Sequence, residues 1–112
     1  VSRETGAGTA LAVALVAAIV VLFGLLASVA VVLDAHRRAV STADAAALAA
    51  ADTALGNATG VPCARAAGIV AAASLRLDGC AQRGALVRVR VSASVLGLAL
   101  DAVAVAGPPP AR

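Results

Sequence analysis

The chain has 112 residues, of which 62% are hydrophobic and 13% charged, with a formal net charge of +3 and one aromatic, Phe23. At this length a single domain is the natural reading. The apolar share excludes a disordered charged tail, and an ordinary soluble domain would be about 25% charged, so the composition is that of a small membrane-attached protein. All nine basic residues are arginines, yet they are scattered and carry no aromatic partners for base stacking, so direct nucleic-acid binding is not expected.

Residues 1–8 form an N-terminal segment with Arg3 and Glu4. From Thr5 to Leu33 there is no charge, and Leu11 to Leu33 is almost continuously apolar. About 20 such residues cross a hydrocarbon core of about 30 Å, so residues 9–33 are read as a transmembrane helix. A cleavable signal peptide is the alternative, given the many Ala-x-Ala sites, but its apolar region would span only about 7–15 residues. The pairs Gly6–Ala10, Gly8–Ala12, Ala14–Ala18 and Gly24–Ser28 are small-xxx-small spacings that let membrane helices approach closely.

Residues 34–56 read as a continuation of the same helix outside the membrane. Alanine, the best helix former, dominates there, and Asp34 and Arg38 stand four apart with the acid first. Leu48 and Leu55 share one stripe with Ala47 and Ala51 beside them. Gly56, Asn57 and Gly60, with Pro62 beyond, are stop signals. His36, among arginines at the predicted membrane boundary, reads as a snorkelling residue.

Residues 57–107 read as a small head. Cys63 to Arg76 is expected to be a short helix, with Ile69, Val70, Ala73 and Leu77 at helical spacing. Leu75 to Cys80 is a candidate short strand. From Val87 the period becomes two, with Val87, Val89, Val91 and Val95 alternating with Arg88, Arg90, Ser92 and Ser94, as in a strand with one wet face. After Gly97, Leu98 to Ala106 is a candidate return strand, with Val103 and Val105 two apart. The expected fold is α+β, a two- or three-stranded antiparallel sheet packed on the helix with Val87, Val89 and Val91 inward and Arg88 and Arg90 outward. Residues 108–112 form a proline-rich tail, read as a linker, with a docking ligand as the alternative.

A head this small ordinarily needs a covalent or metal staple. Cys63 and Cys80 would close a loop of roughly 15–20 residues, worth about 3 kcal/mol as a disulfide. Metal binding and free thiols are the rival readings, but structural zinc takes four close ligands; no metal or cofactor is expected. Disulfides persist in oxidising compartments, which puts the head outside the cytoplasm. The positive-inside count points the other way, since Arg37 and Arg38 outnumber Arg3. The expectation adopted is a single-pass protein with an extracytoplasmic head, at the cell surface or in a filament.

No phosphate loop, dinucleotide fingerprint or H-E-x-x-H motif occurs, and the one histidine has no evident nucleophile partner. Asn57-Ala58-Thr59 matches a glycosylation acceptor, a signal short enough to arise by chance. The chain reads as non-enzymatic. Asp44 has no cation three or four residues away, so it is either a solvated carboxylate or it pairs outside its own helix, with Arg88 or Arg90 of the head or with a neighbouring subunit.

The run Arg38-Ala39, then Ala43-Asp44-Ala45-Ala46-Ala47-Leu48-Ala49, resembles the R-A-Q-x-x-A-D-x-A-A-L-A-A-A signature of TadE-like Flp pilus-assembly proteins, with Val40 in place of the usual Gln. Glu4 to Thr9 stands where that family has a Gly-small start, and Pro62-Cys63, Cys80, the Val-Arg alternation and Ala106-Gly107-Pro108 also fit. The resemblance implies a pilin-like protein, a long membrane helix with a disulfide-tied head, acting as a minor pilin or pseudopilin in a Tad pilus or related secretion machine. Its partners would be other pilin-like subunits, the Tad machinery and the membrane. Type IV pilins carry Glu at the fifth mature position; Glu4 is one place early, so the pattern for prepilin-peptidase cleavage is not matched. The alternative is a single-pass accessory protein whose head binds or regulates another membrane complex without entering a filament.

Overall fold

The computed structural model describes residues 2–109, with side-chain burial from residue 6 onward. The side chains of Arg3 and Glu4, and the end of the proline tail at Pro110, Ala111 and Arg112, lie outside the described residues. Five elements follow in order: α1 (Ser2–Ala54), α2 (Pro62–Ala72), β1 (Arg76–Arg83), β2 (Leu86–Val95) and β3 (Leu98–Ala106). The strands form one antiparallel sheet in the order β1-β2-β3. The chain divides into two compact units, Val1–Val32 and Leu33–Arg112.

The first unit is apolar helix. Its large side chains, Leu11 through Val31, are exposed. A window of this helix reaches a mean hydropathy of 3.0 with none of it buried, so by length and composition the helix suffices to cross a membrane. The Ser28 hydroxyl donates to the Gly24 carbonyl at 2.9 Å, which satisfies the one polar side chain between Leu11 and Leu33.

In the second unit the rest of α1 buries a stripe of alanines, Ala39, Ala43, Ala46, Ala47, Ala50 and Ala51. They share one core with Val87, Val89 and Val91 of β2, Ala102 and Ala104 of β3, and Ala66 and Val70 of α2. The largest fully buried side chains are the three β2 valines and Val70. Because branched side chains fill the sheet side, the helix side must be small, and the methyl groups let the helix lie close. Leu48 and Leu55 are therefore not core: they are 61% and 48% exposed, while their neighbours Ala47 and Ala51 are buried. Thr53, buried in the same stripe, donates its hydroxyl to the Ala49 carbonyl at 2.9 Å. Ala46→Leu is expected to cost about 1–3 kcal/mol by overpacking, read as a lower melting midpoint. An unchanged midpoint would mean the helix stands off the sheet.

Helix ends are set by backbone capping. Gly56 takes φ +85, and its N–H donates to Thr53 O while that of Asn57 donates to Asp52 O, the Schellman closure that favours glycine at this position. The end of α2 repeats the motif without glycine: Ser74 has φ +60, with Ser74 N–H to Ala71 O and Leu75 N–H to Val70 O. The helix expected to run from Cys63 to Arg76 thus occupies Pro62–Ala72. Ala73 is exposed, Leu77 belongs to β1 rather than to the helix, and Arg76 opens that strand. Leu75 packs against the core just beyond the cap.

The candidate strand at Leu75 to Cys80 is longer than expected, running as β1 from Arg76 to Arg83 with a register shift between Leu77 and Gly79. β2 and β3 meet through Leu96 and Gly97, both at positive φ, as a type I′ hairpin requires. Cross-strand pairs place Val89 beside Cys80 and Ala104, and Arg90 beside Gly79 and Val103. The alternation in β2 holds as read, with Val87, Val89 and Val91 buried and Arg88 and Arg90 exposed. In β3 it is Ala102 and Ala104 that face the core, while Val103 and Val105 are exposed on the outer face.

Candidate functional site: the two outer faces of the head

The 33–112 unit is built in layers, so it offers an outer helix face and an outer sheet face. On α1, Asp34 and Arg38 pair at 3.1 Å, both well exposed, a contact of little energetic weight. Further along, Asp44, Leu48 and Asp52 are exposed beside the buried alanine stripe. Asp44 borders an open groove with Leu48, Val105 and Ala106. On the sheet, Arg88, Arg90, Val103 and Val105 share the outer face. The second ion pair joins Arg76 and Asp78 at 3.5 Å.

These are the ion pairs among the described residues, and neither includes Asp44, Arg88 or Arg90. Arg88 and Arg90 stand on the outer sheet face, and Asp44 makes no ion pair with either among the described residues. Cys63 and Cys80 are bonded to each other, with Cα atoms 5.8 Å apart, and tie the start of α2 to the middle of β1. Gly6 and Gly24 have open space where a Cβ would stand, and Ala10 is exposed. Among the described residues no three His, Cys, Asp or Glu side chains gather as a metal site would require. Sequence reasoning did not single out Asp52, Val103 or Val105 as surface features. The alternating pattern of β3 contained that signal, since its alanines and valines cannot both face inward.

An apolar helix long enough by length and composition to cross a membrane thus leads into a small disulfide-tied α+β head. Residues 6–53 match the Tad family model, described as Flp pilus-assembly TadE/G-like. The matched segment takes in the apolar helix and the alanine stripe, so the resemblance read from Arg38 to Ala49 is established there, and it supports involvement in a Tad pilus. No curated protein and no solved structure matches the chain.

Proposed function

We propose that this chain is a non-enzymatic, minor-pilin-like or pseudopilin-like subunit of a Tad pilus or a related secretion machine. The observation that carries the reading is the match of residues 6–53 to a pilus-assembly domain. In this reading residues 9–33 cross the membrane, residues 34–56 continue as helix, and residues 57–107 complete an extracytoplasmic head. Gly6, Ala10, Gly24 and Ser28 are where neighbouring helices of the assembly approach. Lipid tails are as apolar as leucine, so such packing rests on close van der Waals contact. Small residues make that contact possible, and the Ser28 hydroxyl, already bonded to Gly24, adds no unsatisfied donor. The disulfide between Cys63 and Cys80 supports an oxidising compartment for the head.

The test is mass spectrometry of sheared surface filaments and of washed membranes from cells producing the full chain. Recovery of head peptides from the filament fraction is the expected result. Confinement to the membrane fraction, with filaments present, would favour the accessory-protein reading instead.

A further inference from the structure

We infer that the head assembles with a second copy of this chain head to tail, the outer sheet face of one copy seating on the outer face of α1 of the next. This deepens the pilus reading and rests on it. Both faces are half apolar and carry unpaired charge. On the sheet, Val103 and Val105 are 45% and 60% exposed beside Arg90 and Arg88. On α1, Leu48 and Leu55 are exposed, with Asp44 and Asp52 alongside.

The order of charge is what selects a second copy as the occupant. Along α1 the stripe Arg37, Ser41, Asp44, Leu48, Asp52 and Leu55 follows helical spacing of three and four, and its sign runs plus, minus, minus. Along the sheet, the outward charges of β2 and β3 run Asp101 (opposite Ser92, whose other neighbour Arg76 is paired with Asp78), Arg90 and Arg88, so the unpaired sign runs minus, plus, plus. The α1 charges are about 10–12 Å apart at 1.5 Å per residue, and the sheet charges about 7 Å apart, a difference that flexible arginine side chains span. Neither set is consumed internally, since the ion pairs of the head among the described residues are Arg38–Asp34 and Arg76–Asp78. The alanine stripe faces the inner side of the sheet, so the exposed α1 stripe and the outer sheet face are different surfaces of the head, adjoining where Asp44, Leu48 and Val105 border one groove. A contact between different faces repeats from copy to copy and gives an open chain of subunits.

The test uses the full chain in neutral detergent micelles at low salt, with association measured by analytical ultracentrifugation. One variant carries Asp44→Arg and Asp52→Arg, the other Arg88→Asp and Arg90→Asp. Each alone should self-associate at least about tenfold more weakly than the unaltered chain, through like-charge repulsion across the contact. An equimolar mixture of the two should regain association, because every junction between them again joins opposite charges. Asp44→Asn with Arg88→Ser serves as a neutral pair of variants, and thermal melting verifies that each head is folded. Failure of the mixture to recover, or unaltered association of the separate variants, would overturn the contact. A chain that stays monomeric but binds vesicles containing phosphatidylglycerol through Arg88 and Arg90 would also overturn it and make the occupant an anionic lipid surface. Recovery in the mixture with no chain in sheared filaments would instead defeat the pilus reading and leave the contact standing.

Discussion

Val89→Asp is expected to destabilise the head by about 3 kcal/mol or more, because it places an unpaired carboxylate in a dry core. Val89 is fully buried at the centre of the middle strand, between Cys80 and Ala104, with the α1 alanines in the same core. Neither arginine of β2 faces that side of the sheet. The preceding residue gives the control: Arg88→Ser changes an exposed position on the outer face and should cost no more than about 0.5 kcal/mol. Thermal melts of the two variants in the full chain, followed by circular dichroism, provide the comparison. Equal losses would mean that the faces of β2 are assigned the wrong way round.

The contrast between Val89 and Arg88 is legible in the amino-acid sequence alone, because a strand of alternating Val and Arg has only one way to sit on a core. The return strand is legible in extent but not in orientation. Its valines draw attention, yet pairing with β2 turns Ala102 and Ala104 inward, and the small residues fit where a helix lies close. The same physics misleads at Leu48 and Leu55. A hydrophobic stripe is sought among large side chains, whereas here the contacting stripe is alanine and the leucines border it. Composition identifies an alanine helix; only packing against branched valines says which alanines are buried.

The end of α2 is not legible, since Ser74 occupies a left-handed position where sequence reasoning looks for Gly or Asn. Tertiary contact supplies the reason: capping there turns Leu75 onto the core and lets Arg76 begin the strand. The charged surface is legible in part. Asp44 stands out for want of a cation on its own helix, but the matching order of charge on the sheet emerges only once β2 and β3 are paired in register.

Removal of the disulfide should have the second large effect, and it should begin at α2. The bridge closes a sequence separation of 17, which in the chain-entropy view is worth about 3 kcal/mol. A loss of that size should lower the melting midpoint of a head this small by roughly 10–20 °C. The 11-residue helix α2 fully buries only Ala66 and Val70, with Ile69 partly buried against the same core. Fully burying a valine contributes about 1.5–3 kcal/mol, whereas ordering each backbone residue costs about 1–2 kcal/mol. Without the bond from Cys63 to β1, these contacts are too few to hold the helix against the sheet. Cys63→Ser with Cys80→Ser, or reduction of the unaltered chain, is therefore expected to expose the amides of residues 62–72 to hydrogen exchange ahead of those of β2. In the unreduced protein, alkylation should label neither thiol. Amides of α2 that keep their full protection after reduction would mean that Ala66 and Val70 secure the helix unaided, and the bridge would then be a consequence of the fold rather than a condition for it.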